Sequence, residues 1–379
     1  MDIRRVIGAG LSLCLAISAV GVNGSATHAG EGARFDQCSE LQARFPSGVA
    51  KSAAAAQSAV ALGYERPAVR KKIFRKNRKA LGPPTAGSLC LTKIEVKEFA
   101  FQYNLDSSLP ADWVAEFNTI MNNLGAVLPI SERIHSVPNV TMPFQIFAWN
   151  SAVPNPFPQI PGAGGASISG SDSLGLHMIL EIPESEFTNN YLHRYSVIAH
   201  EYFHIYQIGL SEDIMEPTWM IEGGAKVVEE LYTQQYYGQS KFDSGLFPVS
   251  ATVLSNPAAF EKYDRDGGLV GSSADINYNS SAFMVLALVD MLKRRGISEA
   301  RAFEMVLDDF VAGLPDHANW RDAFQAVFSM NVQDFYRSLG SGPYPSTGAT
   351  DDWYEGPAID VGAVLPSKSL TLNAIFATP

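Results

Sequence analysis

The sequence predicts an α+β fold, and three observations lead to that class. From residue 92 to 182 the chain passes through short β-branched and aromatic runs, interrupted by one segment with apolar residues at helical spacing. From 217 onward, longer apolar segments recur with the helical period, and Gly, Ser and Asp collect between them. Ahead of both, two cysteines remain once an export signal is removed, which suits a small disulfide-linked module.

Taken in order, residues 1–29 read as a signal peptide: Arg4-Arg5, an apolar region from Val6 to Val22, then small residues. Thr27-His28-Ala29 and Gly24-Ser25-Ala26 are rival cleavage sites. The apolar stretch is too rich in Gly, Ser and Ala for a good membrane span, so the mature chain is expected to be secreted, with no span of its own. Cleavage removes one acid and two bases, taking the net charge from −11 to −12 and arguing against a nucleic-acid partner. Cys38 and Cys90 then form an even pair; bonded, they close a loop with a chain-entropy benefit of roughly 4 kcal/mol. Eight Lys or Arg fall in the fourteen residues from Arg66 to Lys79. Such a run reads as a solvated helix face or linker, with weak contact to anionic cell-envelope polymers as the functional alternative.

Past residue 92, Lys93 to Tyr103 is strand-like through Ile94, Val96, Phe99 and Phe101. Pro110 to Val127 is helical, with Trp113, Val114, Phe117, Ile120, Met121 and Leu124 on one side. Met142 to Trp149 is a second strand. Residues 150–164, rich in Pro and Gly, form a loop long enough to border a cleft. Gly165 to Gly170 and Leu176 to Ile182 are two more strands. The predicted helices beyond are Pro217 to Tyr237, Ala282 to Arg295, Glu299 to Ala312, Trp320 to Phe328 and Val332 to Leu339. Residues 240–277 read as a cleft-lining loop, and Ser369 to Ile375 as a strand.

The chemistry sits in His200-Glu201-Tyr202-Phe203-His204, inside an apolar run from Tyr195 to Ile208. On a helix, residues four apart share a face, so both imidazoles reach one ion while Glu201 projects beside them toward a water. A helix can be argued there: Thr188 and Asn189 are N-cap types, Tyr191 to Ile208 has no Pro or Gly, and Gly209 offers a stop. That weighs against two plain core histidines and a surface carboxylate. A catalytic zinc takes three protein ligands. Glu222, in Trp219-Met220-Ile221-Glu222-Gly223-Gly224-Ala225, is the preferred third, on a helix opening with Pro217 at its first position. Glu212, Asp213, Glu216, Glu229 and Glu230 compete with it. Gly223-Gly224 costs roughly 1 kcal/mol per Gly in a helix, which close approach of the two metal-bearing helices would justify.

This H-E-x-x-H followed by W-x-x-E-G-G-A resembles the gluzincins, the thermolysin-like superfamily of zinc peptidases, and most of all bacterial secreted members, including collagenase-like catalytic domains. The metzincin pattern fails, because its Gly and third His fall on Gln207 and Leu210. The resemblance implies a zincin-like two-lobed domain with a mixed sheet and helices above a cleft and a helical lower lobe. It implies one Zn2+ per chain on His200, His204 and Glu222, Glu201 as general base, and a peptide or protein substrate laid along the strand nearest the metal helix. Either 165–170 or 176–182 fits that role. A Tyr near the start of a downstream helix would hold the oxyanion; Tyr278 is preferred, with Tyr263 and His317 behind it. One departure stands out: the Asp expected four residues after the ligand Glu is Lys226, leaving Glu229 or a backbone carbonyl to orient a ligand His. That departure keeps a catalytically inactive, secreted zincin-fold binding protein as the alternative.

The segment around Cys38 and Cys90 resembles the Excalibur-type extracellular calcium-binding module. The acidic loop positions of that family fall on Gly82, Pro84 and Ala86, which implies a degenerate module without calcium. The expected organisation is therefore a signal peptide over 1–29, this module and a basic linker over 30–91, an upper lobe over 92–209, a helical lower lobe over 210–345 and a tail over 346–379.

Overall fold

In the computed structural model the described residues are 99–171, 173–212, 216–244, 248–263, 270, 274–341, 362, 364–376 and, nearer the N-terminus, 38, 41, 49–50, 68–69 and 88–90. The chain divides into two units, one over Ile17–Glu98 and one containing Phe99–Pro379. In the first, three two-residue strands pair in the order Ala68–Val69, Val49–Ala50, Ser88–Leu89, and Cys38 is bonded to Cys90. The signal-peptide region, positions 82, 84 and 86, and the basic run apart from Ala68–Val69 lie outside the described residues.

The second unit is α+β, built on a four-stranded mixed sheet in the order β1-β2-β4-β3. The strands are β1 (Phe101–Leu105), β2 (Phe144–Asn150), β3 (Ala166–Ser171) and β4 (Gly175–Ile182). β1, β2 and β4 run parallel, and β3 closes one side antiparallel to β4, with Ser169 opposite His177. The two central strands are buried on both faces, as parallel strands usually are. Phe144, Ile146, Ala148, Met178 and Leu180 enter the main core, while Phe147, Trp149 and Ile179 meet Ile160 from the 150–164 loop on the other face.

Helix α1 (Ala111–Val127) turns Trp113, Phe117, Ile120, Met121 and Leu124 into that core. A short α2 (Glu184–Thr188) precedes the motif helix α3 (His193–Leu210). Thr188 and Asn189 therefore end α2 and do not cap the motif helix. Pro183 and two acids in its first turn start α2, and Asn190, with φ at 55°, breaks it. Gly209 is not the stop either: α3 runs one residue further, past Ile130 and Ser131. From Ser196 to Gly209 every residue of α3 is buried, so the helix is an internal strut and not a surface element. Trp113 Nε1 donates to Arg194 O (2.9 Å) and Tyr202 Oη to Leu128 O (2.9 Å), tying it to both ends of α1.

Helix α4 (Thr218–Tyr237) packs across α3, with Pro217 just outside in extended backbone as the cap, one position before the predicted place. The next long helix, α5 (Ala274–Arg294), begins a full two turns before residue 282. Its polar opening hides it from hydropathy, yet Asn277, Ser280 and Ser281 are buried. Beyond it come α6, made of Glu299–Glu304, a π-turn over Met305–Asp309 and Phe310–Gly313, then α7 (Trp320–Phe328) and α8 (Val332–Ser341). The predicted strand over Ser369–Ile375 is instead a helix, α9 (Leu372–Phe376). Thr371 Oγ1 accepts from Ala374 N (3.1 Å), and a helical turn buries Leu372 and Ile375 together, which alternation could not do.

Among the described residues no helix is long and apolar enough to cross a membrane.

Candidate metal centre

His200 and His204, one turn apart on α3, turn their rings toward α4, where Glu222 stands in the second turn. His200 Nε2 and His204 Nε2 each lie 3.4 Å from Glu222 Oε2. The three ligand atoms fall within 4.8 Å of one another, and all three residues are buried. Glu222 Oε2 and Glu201 Oε2 are buried with no hydrogen-bond partner. Carboxylate oxygens in that condition are costly unless a cation or water meets them. The group His200, His204, Glu222 is thus suited to hold a metal ion.

Each imidazole is held from behind. His200 Nδ1 is 3.3 Å from Glu229 Oε2. His204 Nδ1 is 2.9 Å from Gln207 Oε1, and Gln207 Nε2 donates to Ile221 O (3.2 Å). Because the amide donates to a carbonyl, its oxygen must accept, so His204 Nδ1 is the donor and Nε2 is the atom left to face the centre. A carboxylate does the same for His200. Glu229 thus fills the orienting place that Lys226 left open, reaching it from one turn further along α4.

The acids sort by position. Glu216 pairs with Lys262 (2.9 Å), Glu230 with Lys226 (2.9 Å), and Glu212 is exposed; Asp213 lies outside the described residues. Tyr278, in the second turn of α5, stands edge-on to His200 with ring centroids 5.9 Å apart. Tyr263 is a layer behind it, 6.4 Å from Tyr278, and His317 is not among the residues lining the cleft.

Burial opposes charge on the His200 ring, but the carboxylates of Glu222 and Glu229 on either side outweigh it and push its pKa up to about 10. His204 is raised in the same way, by Glu222. Burial likewise works against an ionised Glu222, yet the two rings hold it far below the carboxylate range. Glu201 differs: burial raises it, and the pull of the two histidines does not restore it.

The cleft beside the centre has a volume of about 220 Å³. Val197, Glu201 and Tyr278 line it, with Ala166 from β3 and Lys241 at its rim. β3 is the end strand of the sheet, whereas β4 is interior, so of the two strands considered only β3 has an open edge among the described residues.

Gly223 and Gly224 do different jobs. A Cβ on Gly223 would lie 2.4 Å from Ser281 O, so this glycine admits the backbone of α5 and not that of α3. Gly224 faces Phe203 and Gln207 of α3 at 3.4 and 3.6 Å, and that position does serve the close approach of α3 and α4.

Gln207 and Ser196 went unread as site residues. Their spacing, three after His204 and four before His200, was the available signal. Comparison with family models, curated proteins and solved structures gives no match for the chain.

Proposed function

We propose that this chain is a secreted zinc peptidase of the gluzincin type, with a zincin-like cleft between the sheet and the α5 side. The observation that carries the reading is the convergence of two Nε2 atoms and Glu222 Oε2, with the unpartnered Glu201 Oε2 alongside. Two imidazoles and a carboxylate are a hydrolytic zinc donor set, with positions left for water or substrate. When bound, Zn2+ supplies Lewis acidity toward a carbonyl oxygen and a water molecule.

The chain's own residues do the rest. Glu201, its carboxyl raised by burial, takes a proton from the attacking water at Oε2 and returns it to the leaving amine. Tyr278 offers its hydroxyl to the developing oxyanion from the α5 side of the cleft. A peptide aligned on the open edge of β3 gains backbone hydrogen bonds and passes Ala166 into the cleft. Glu229 and Gln207 keep both ligand rings in one tautomer. The export features of residues 1–29 and the Cys38–Cys90 bond support an extracytoplasmic site of action.

The test is metal analysis of purified protein followed by an unbiased peptide-cleavage profile on wild type and Glu201→Gln. Near-stoichiometric zinc in both, with cleavage by wild type alone, is the expected result. Zinc without cleavage in wild type would turn the reading to a binding protein, and full turnover in Glu201→Gln would remove Glu201 as the base.

A further inference from the structure

Behind Glu229 stands a buried cation. Lys226 Nζ lies 2.7 Å from Glu229 Oε1 and 2.9 Å from Glu230 Oε1, and all three residues are buried. Ser196 Oγ donates to the same Glu229 oxygen at 2.8 Å. The other Glu229 oxygen, Oε2, is the one facing His200 Nδ1. Glu230 Oε2 in turn accepts from Ser240 Oγ (2.9 Å) and from the backbone amide of Lys241 (2.6 Å), at the rim of the cleft. A continuous chain of charge-assisted contacts thus runs from a ligand imidazole to the cleft wall through one ammonium group. The 222, 226, 229 and 230 positions make this possible, since they share one face of α4.

We propose that Lys226 is a positioning residue of the metal centre: by gripping Glu229 Oε1 it turns Oε2 onto His200, and through Glu230 it anchors the Ser240–Lys241 rim. The inference rests on the reading that His200, His204 and Glu222 hold an ion. It makes the departure from the expected Asp at this position a replacement in two parts, an acid one turn later and a lysine that aims it.

The test measures Zn2+ affinity of the full, metal-stripped chain by competition with a chromophoric chelator, together with the visible spectrum of the Co2+-loaded protein. Glu229→Gln should weaken Zn2+ binding by about 10- to 100-fold, and Lys226→Met by about tenfold with altered Co2+ bands. Because both act through one contact, the double variant should match Glu229→Gln within about twofold. Glu230→Gln keeps the Lys226–Glu229 contact and should hold Zn2+ within about threefold of wild type, whatever it does to melting. A role in structure alone would lower melting in all of these and leave the Co2+ bands in place. Wild-type affinity in Lys226→Met, or losses that multiply in the double variant, overturn the proposal. Should Lys226→Met not fold, Lys226→Met combined with Glu230→Gln, which strands one carboxylate in place of two, is compared with Glu230→Gln alone: a further loss of about tenfold is expected, and equal affinity overturns the proposal. A wild-type chain that takes up no Zn2+ defeats the metal reading itself, whereas Zn2+ uptake unaffected by Lys226→Met defeats only this inference.

Discussion

An ammonium between two carboxylates, all three buried, makes Lys226 the residue on which local stability turns. Burial opposes its charge, but Glu229 and Glu230 overcome that and leave its pKa above the ordinary 10.5. Glu229, in spite of its own burial, is held well below 4.5 by Lys226 and His200. A raised lysine stabilises the fold fully below 10.5 and loses that contribution as pH climbs through its folded value. A lowered glutamate stabilises above 4.5 and loses its share as pH falls through its folded value. Melting temperature followed against pH should therefore fall toward both extremes, with the raised His200 and His204 adding a decline from 6.5 upward in the metal-free chain, and Lys226→Met should remove part of the fall at the alkaline end. The same change strands two carboxylates and should cost about 3–5 kcal/mol near neutrality in chemical denaturation. At Tyr278, loss of the hydroxyl in Tyr278→Phe should lower kcat about 10²-fold while zinc content holds; unchanged kcat would remove it from the chemistry. Some of this was open to reading in the sequence and some was not. His200, His204 and Glu222 announce themselves because a helix converts spacing into direction. Lys226 looked like a missing part, because only the docking of α4 on α3 reveals that Glu229 reaches the same ring.

At the level of elements, the pair of glycines after Glu222 offers a sharp contrast. Gly223→Ala drives a methyl into the backbone of α5, where Ser281 O cannot yield as a side-chain tip would. It should cost about 1–3 kcal/mol or more, lower melting and weaken Zn2+ binding by displacing its neighbour Glu222. Gly224→Ala meets only side-chain atoms at 3.3 Å and beyond. Its gain in helix propensity, about 1 kcal/mol, offsets that crowding, so melting should change little. Equal effects of the two changes would refute the assignment of Gly223 to the α4–α5 contact. Long helices and buried strands were legible because period and apolar runs survive whatever packs on them. The start of α5 was not: its first turns carry Asn and Ser, which only tertiary packing buries. Nor was α9, where two leucines at even spacing imitate a strand and a threonine hydroxyl decides otherwise.

Across the whole molecule, the motif helix is walled on every side but the cleft, and the last of those walls comes from far along the chain. Phe376 packs its ring against Phe203 and Tyr206, at 6.3 and 5.7 Å between centroids. Gln234 and Gln235 of α4 hold the approach to it, Gln235 accepting from Leu372 N at 2.7 Å. The stretch 346–379, expected to be a tail, thus includes a docked segment. Truncation before residue 364 should lower melting by several degrees and expose apolar surface to a hydrophobic dye, with zinc retention reduced as α3 loosens. Retained melting would show that α9 is dispensable. The segment that seals α3 leaves the ribosome long after the histidines it supports. A nascent chain would therefore carry α3 unbraced until its last residues are made, and the candidate metal centre would be the last part of the unit to set.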